Sequence, residues 1–248
     1  MANILSGHDG SDKLHLTSGE FSTTIKDSQA SPPAVSGVDY DGTNTQATQD
    51  AVLRKHILYS GLMTTTVKAS IANTYDNQPR GISSDDDGHV IHAGIAADKL
   101  YWASGKYTNT LKDSEDVSAV DTVPEGVSWD GTNTPWVGSQ GAKMYLQSGK
   151  FASVIKDSAL VPAGGGKISF DIGWNGTDTL LTGPAAGGTT WFWKISGQFT
   201  TTVKTSLEMS AALGAVSRGI ETDDYDARVG AAAGGGGVVV QRCIRAGH

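Results

Sequence analysis

The sequence is poor in cysteine, in charge and in long apolar runs, and each shortage excludes a class of protein. The single cysteine, Cys243, cannot form an intramolecular disulfide or a cysteine zinc site. Charged residues make up only 18% of the chain, and 26 acidic residues outnumber 19 basic ones. This balance argues against a coiled coil and against a basic nucleic-acid-binding protein. No run of about 18 apolar residues occurs, so no membrane-spanning helix is predicted.

The amino-terminal ten residues have neither the basic start nor the apolar core of a signal peptide. We therefore expect the protein to fold in a reducing cytoplasm, from which cell lysis would release it.

Motifs for catalysis are also missing. The sequence has no nucleophile elbow, phosphate loop or zinc-binding histidine pair, and its histidines do not recur in register. His89 and His92 lie three residues apart in a strand-like segment, which places them on opposite faces. The sequence therefore predicts no enzyme, no cofactor and no metal centre. Calcium binding by the aspartate-rich turns stays open, although the ligand spacing of an EF-hand is absent.

Glycine, by contrast, is abundant, with 32 of 248 residues, and it marks an internal repeat. A Ser-Gly pair recurs five times, and each time a lysine follows the glycine by seven residues. The five glycines are Gly19, Gly61, Gly105, Gly149 and Gly197. A second module, a small residue and an aliphatic one followed by an acid or amide and a turn, recurs at a similar spacing. The chain thus repeats one unit of about 45 residues.

Each unit predicts four short strands, because Asp-Gly or Asn-Gly between alternating segments indicates a hairpin. Gly131 and Gly176 are expected to have positive φ at such turns. In one unit we predict strands at Val127–Trp129, Pro135–Val137, Lys143–Gln147 and Phe151–Lys156. Four-stranded units of this length are typical of propeller blades, and a β-solenoid is the main competitor.

The sequence therefore predicts an all-β, five-bladed β-propeller of four-stranded antiparallel blades, forming a single domain over residues 1–248. The chain begins in mid-unit and ends with the complementary part, so the terminal strands should share a blade and close the ring. The predicted units are 1–30 plus 219–248, 34–70, 81–114, 126–158 and 169–206. The end segment Val238–Gly247 resembles the strand that precedes Ser-Gly, so this strand is represented at both ends of the chain.

Two repeated side-chain types each admit a structural and a functional interpretation. The five lysines either lie along blade edges with their ammonium groups in water or form an anion-binding ring. Aromatic residues either pack between blades or stack on sugars. Trp129, Trp174 and Tyr40 share one repeat position, which favours packing. Trp191 and Trp193 alternate with Phe192, so one face of that strand should be aromatic.

The segments Trp129–Gly138 and Ser148–Ser158 resemble repeats of propeller-like proteins in tailed bacteriophages. The resemblance covers almost the whole chain as a repeat style and carries no functional motif. It implies a virion structural protein of the tail, a tail appendage or the capsid surface. In blade number and length the chain also resembles five-bladed tachylectin-type lectins, which implies about one sugar pocket per blade, although no pocket residues match.

We therefore expect a non-enzymatic virion protein that contacts other virion proteins, in a symmetric assembly, and a host-surface glycan. A soluble carbohydrate-binding lectin is the alternative. Nucleic acid and membranes are not expected partners. The candidate contact residues lie in the predicted turns, in one strand and in the end segment: Asp41, Asn44, Asp130, Asn133, Trp136, Asn175, Asp178, Val239 and Cys243.

Overall fold

The computed structural model describes twelve stretches of the chain: residues 4–8, 13–18, 23–30, 35–49, 53–85, 87–105, 108–150, 154–161, 171–184, 189–198, 200–209 and 217–222. These residues form five separate four-stranded antiparallel sheets. No helix long and apolar enough to cross a bilayer occurs in these stretches.

The strands group into five blades, numbered here from the amino terminus. The first blade combines β1 (Ile4–His8), β2 (Lys13–Thr17) and β3 (Ile25–Ala30) with β20 (Ser217–Thr222). The second contains β4 (Val35–Tyr40), β5 (Thr45–Gln49), β6 (Lys55–Tyr59) and β7 (Val67–Ala72). The third contains β8 (Pro79–Ser84), β9 (Val90–Gly94), β10 (Lys99–Ala103) and β11 (Leu111–Asp116). The fourth contains β12 (Pro124–Val127), β13 (Thr134–Gly138), β14 (Lys143–Gln147) and β15 (Ile155–Leu160). The fifth contains β16 (Asp171–Trp174), β17 (Asp178–Pro184), β18 (Thr190–Ser196) and β19 (Val203–Glu208).

The predicted ring closure is confirmed by the first blade. Its innermost strand, β20, comes from the carboxyl-terminal part of the chain and pairs antiparallel with β1, with Leu5 opposite Glu221 and Ser6 opposite Ile220. The innermost strands β20, β4, β8, β12 and β16 are neighbours in a closed circle. The five-bladed propeller predicted from the repeat is therefore the fold of the chain.

Burial falls from the innermost to the outermost strand of a blade. In the fourth blade, every residue of β12 and β13 is buried, whereas Ile155–Leu160 is mostly exposed. The polar outermost strands present lysine and serine at each free sheet edge, which disfavours pairing with another chain. Apolar side chains instead pack between blades, as Val137, Met144 and Leu146 do against Trp193 and Ile195.

The outermost strands begin about four residues later than predicted. β15 starts at Ile155 and not at Phe151, and Phe151 itself lies outside the described residues. The reason is a wide loop after each Ser-Gly pair, closed by a hydrogen bond from the serine amide to a carbonyl six residues on, such as Ser148 to Val154 at 2.9 Å. Threonines belong to this loop and not to the strand, because the Thr200 hydroxyl donates to the Ser196 carbonyl at 2.7 Å.

The innermost strands meet at glycines around the propeller axis. A Cβ atom added to Gly37 would lie 2.8 Å from the Gly81 Cα, and one added to Gly81 would lie 2.6 Å from the Gly126 Cα. A Cβ at Gly126 would lie 2.4 Å from the Cα of Asp171, which takes the fourth position of the series. Asp171 is 1% exposed, and its carboxylate accepts a hydrogen bond from the Ile220 amide at 3.0 Å. Adjacent innermost strands thus approach each other at backbone contact along this series.

Candidate binding clefts between the blades

Two kinds of connection lie at the same face of the ring, which we call the turn face. They are the turn between the first and second strands of a blade and the Ser-Gly loop between its third and fourth strands. The two meet directly, since the Thr134 hydroxyl donates to the Gly149 carbonyl at 2.9 Å. The opposite face carries the connections from one blade to the next and is called the connector face.

An aspartate or asparagine opens each described first turn and organises it. Asp130 Oδ1 accepts the amides of Thr132 at 2.7 Å and Asn133 at 2.6 Å. Gly131 and Gly176 have φ of 91° and 86°, which confirms the positive φ predicted from the Asp-Gly and Asn-Gly pairs. Asp130 is only 6% exposed, because the next blade covers it.

The repeated lysines bind the first turn of their own blade. The ammonium of Lys156 on β15 reaches across the blade edge to Asn133 Oδ1 at 3.1 Å. The same contact recurs in three other blades: Lys68 to Asn44 at 3.3 Å, Lys112 to His89 at 3.3 Å, and Lys204 to Asp178 at 3.0 Å. These four lysine side chains are exposed along the blade edges, in line with the structural interpretation, and each also bonds to its own blade. They connect the outermost strand to the turn of the innermost pair.

The interface between the third and fourth blades contains a lysine in a carboxylate and tryptophan environment. The ammonium of Lys150, from the Ser-Gly loop of the fourth blade, lies 2.8 Å from Asp85 Oδ2 and 3.0 Å from Asp87 Oδ2. It also lies 5.0 Å from the ring centre of Trp102 and 5.2 Å from that of Trp129. A cation over an aromatic face is attracted by the ring electrons.

The ion pair between Lys150 and Asp85 determines the pKa values of both groups. Burial raises the pKa of the Asp85 carboxyl, but the hydrogen bonds from Lys150 and from the His89 amide outweigh burial and leave the pKa below its usual value. Burial lowers the pKa of Lys150, and its hydrogen bonds to Asp85 and Asp87 reverse this and leave the pKa raised. Both groups are therefore charged at neutral pH.

Asp85, Asp87 and His89 together have the spacing of a metal-ligand group. Their geometry is explained without an ion, because Lys150 supplies the positive charge to both carboxylates. His89 Nδ1 also lies 3.1 Å from Asp85 Oδ2, and Trp102 Nε1 donates to the same oxygen at 3.1 Å.

The interface between the fourth and fifth blades has an open cleft of about 430 Å³ at the turn face. Its lining comprises Asp130, Thr132 and Asn133 from the fourth blade and Trp174, Gly176 and Gln198 from the fifth. The amide of Gln198 donates to Asp130 Oδ2 at 2.6 Å. Gln198 directly follows a Ser-Gly pair, as Lys150 does, so the two side chains hold equivalent positions. The cleft offers hydrogen-bonding groups beside an indole ring.

The remaining candidate contact residues fall into three environments. Asp41 and Asn175 organise turns as Asp130 does, with Asp41 Oδ1 accepting the Asn44 amide at 2.7 Å and Asn175 Oδ1 accepting the Asp178 amide at 2.7 Å. Asn44 and Asp178 receive the repeated lysines, as described above. Trp136 is fully buried and stacked on Tyr145, with ring centres 4.2 Å apart, so its side chain presents no surface to a partner. Val239 and Cys243 lie outside the described residues.

The tryptophans pack as the structural interpretation predicted. Trp129, Trp174 and Trp193 are all buried, and Trp191 is partly buried against the core between the fourth and fifth blades. The aromatic face of β18 thus packs on the neighbouring blade instead of facing solvent.

Sequence reasoning missed a histidine and tyrosine cluster near the connector face. The ring of His92 lies 4.9 Å from that of His56, 5.0 Å from that of Tyr75 and 5.0 Å from that of Tyr101. Burial lowers the pKa of His56 to about 4, and burial together with His56 lowers that of His92 well below its usual value. Asn73 Nδ2 lies 3.2 Å from His56 Nε2, an arrangement that suits a neutral imidazole accepting a hydrogen bond.

A second cavity, of about 380 Å³, opens beside this cluster at the connector face. Arg54, Tyr75, Asp76 and Ala96 contribute to its lining. Asp76 Oδ1 accepts the Gln78 amide at 2.6 Å, so this carboxylate organises the connection between the second and third blades.

Two solved structures share the architecture. A chain in the crystal structure of a nidogen/laminin complex is 13% identical, with 91% of this chain and 99% of that chain covered and a TM-score of 0.58. Glutaminyl cyclase from Myxococcus xanthus is 12% identical, with 82% of this chain and 76% of that chain covered and a TM-score of 0.52. At such identities the likeness shows the propeller fold alone. The second neighbour is an enzyme, so the fold itself decides neither for nor against catalysis. The sequence matches no family model and no curated protein.

Proposed function

We propose that the protein is a non-enzymatic structural component of a tailed-bacteriophage virion, in the tail, a tail appendage or the capsid surface. The repeat style of Trp129–Gly138 and Ser148–Ser158 supports this proposal. Binding to other virion proteins also suits the turn face, because lysine contacts hold each described first turn against the outermost strand of its own blade. Its partners would be other virion proteins in a symmetric assembly, and a host-surface glycan.

The inventory of the described residues favours binding over catalysis. Lys150 pairs with the buried Asp85 carboxylate, and His56 is held neutral by burial. The Ser84 hydroxyl donates to Asp39 Oδ2 at 2.6 Å, which sets a nucleophile type beside a carboxylate, but both side chains are buried, at 3% and 0% exposed, and so are closed to a substrate.

Purified particles test the virion proposal. Mass spectrometry of density-purified virions should detect the protein at a fixed ratio to the major capsid protein, and salt washing should not remove it. A double variant, Val239→Lys with Cys243→Lys, should reduce incorporation if the end segment adds a strand to a neighbour. Lys99→Arg provides a matched surface control. Absence of the unmodified protein from particles would refute the virion role.

Carbohydrate binding is the second candidate function, and the cleft between the fourth and fifth blades favours it. Saccharide sites combine an aromatic side chain with convergent polar groups, and here Trp174 lies beside Asp130, Asn133 and Gln198. The two interfaces differ in chemistry. The residue after the Ser-Gly pair is Lys150 at the interface between the third and fourth blades and Gln198 at the interface between the fourth and fifth. A glycan array probed with the isolated protein should give specific signals that an excess of the free sugar removes. A blank array would refute this candidate and leave the virion proposal standing.

A further inference from the structure

Two neighbouring blade interfaces are built on the same positions but differ in the side chain that reaches the buried carboxylate, and the first has Trp102 where the second has Leu146. At the first, Lys150 places its ammonium against the buried carboxylate of Asp85, beside Trp129. At the second, Asp130 takes the place of Asp85 and Trp174 that of Trp129. The side chain equivalent to Lys150 is the neutral Gln198.

The first interface shows which ligand chemistry this arrangement accepts. A primary ammonium satisfies the carboxylate by a charge-assisted hydrogen bond and the indole ring by a cation–π contact. At the second interface the neutral Gln198 amide donates a hydrogen bond to Asp130 Oδ2 at 2.6 Å. An amide carries no positive charge, so it makes no cation–π contact with the indole ring. The volume beside it stays open, at about 430 Å³.

We propose that the cleft between the fourth and fifth blades binds an amino sugar, whose ammonium group lies against Asp130 as that of Lys150 lies against Asp85. The inference rests on the carbohydrate-binding candidate function and specifies its ligand class. The ammonium displaces the Gln198 amide, which swings toward the solvent side of the cleft. The sugar hydroxyls then meet Thr132, Asn133 and the freed amide.

The rest of the lining favours a sugar over the lysine of a partner protein. A lysine tip has no hydroxyl groups, and it would leave Thr132 and the Gln198 amide without partners in the cleft. A pyranose ring carries hydroxyls around its whole edge and an apolar face that suits Trp174.

Charge at the site limits the affinity. Thr132 occupies the place of Asp87, so the second interface has one carboxylate fewer than the first. Lys156 lies 3.1 Å from Asn133 Oδ1 and repels an incoming cation. We therefore expect weak binding that weakens further as salt is raised.

Calorimetric titration of the full chain tests the proposal with three probes: methyl glucosaminide, methyl N-acetylglucosaminide and Nα-acetyl-lysine N-methylamide. Methyl glucosaminide should bind at least tenfold more tightly than either of the others. Gln198→Lys should abolish its binding, because the new ammonium fills the cleft as Lys150 fills its own. Lys150→Gln is the matched control and should leave the affinity of the fourth–fifth cleft unchanged.

The Asp130→Asn variant tests whether the negative charge of Asp130 is needed for binding. The asparagine Oδ1 can still accept the amides of Thr132 and Asn133, so the turn is kept while the carboxylate is lost. Binding of methyl glucosaminide should fall about tenfold. Thermal melts confirm that each variant is folded, and Gln198→Lys alone decides the question should Asp130→Asn not fold.

Three results would overturn the proposal, and they have different meanings. Equal binding of the N-acetylated glycoside would leave carbohydrate binding intact and remove the role of the ammonium. Tighter binding of the lysine amide would assign the cleft to a protein partner. If neither glycoside binds, the amino-sugar proposal falls, and the glycan array decides whether the carbohydrate candidate falls with it.

Discussion

Acidification should destabilise the propeller through His56, the buried histidine of β6. Its pKa in the folded protein is lowered to about 4 by burial, whereas an unfolded chain protonates histidine near pH 6.5. The unfolded state therefore binds the proton first as the pH falls, and stability is lost between about pH 6.5 and 4. Above about pH 7 this histidine has no effect on the pH dependence, and below about pH 4 its contribution stays constant.

The size of the loss follows from the gap between the two pKa values. A gap of about 2.5 pH units, at about 1.4 kcal/mol per unit, corresponds to roughly 3 kcal/mol from this one residue. That is a large part of the stability of an ordinary domain, at about 5–15 kcal/mol. His92 acts in the same direction, because burial and the neighbouring His56 lower its pKa as well.

Urea unfolding at a series of pH values, followed by tryptophan fluorescence, measures the effect. His56→Gln removes the titrating group and keeps an acceptor for the Asn73 amide. Between pH 7 and pH 4 the variant should lose about 3 kcal/mol less than the unmodified protein. Parallel loss of stability in the two proteins would show that His56 does not remain neutral in the fold.

Three further predictions concern the framework. Gly126→Ala should destabilise by about 2–3 kcal/mol in urea unfolding, because its Cβ would meet the backbone of β16; unchanged stability would mean that the axis can expand. Gly131→Val should cost about 1–2 kcal/mol through its positive φ, whereas Gly131→Asn should cost less because asparagine tolerates this conformation; equal costs would exclude backbone strain as the cause. Deleting residues 1–30 removes three strands of the first blade and should abolish the cooperative melt in circular dichroism; an unchanged melting temperature would contradict closure by shared strands.

Repetition made the architecture predictable. A pattern that recurs five times fixes the blade number, and the partial units at the two ends indicate the shared blade that β20 and β1 form. Single Asp-Gly pairs were enough to predict the turn conformation at Gly131. Both inferences depend on local backbone preferences or on periodicity, which are written directly in the sequence.

The outermost strands and the clefts escaped prediction for a different reason. Threonine favours strands, but after the Ser-Gly pair the Thr200 hydroxyl bonds the loop instead, and the strand begins only at Val203. Contacts between blades join positions about 30 to 70 residues apart, as Lys150 joins Asp85, and no local pattern encodes them. The pair His56 and His92 occupies different positions in two different repeats, so register gave no signal.

The glycines of the innermost strands set how closely neighbouring blades approach. At Gly81 and Gly126 the backbone of the next blade lies where a Cβ atom would stand, so each contact depends on the absence of a side chain. A substitution at either position would therefore displace a blade rather than a single side chain, and its effect should reach the interfaces on both sides of that blade. The spacing of the blades, and with it the width of the clefts at the turn face, is thus set by residues that lie far from the clefts themselves.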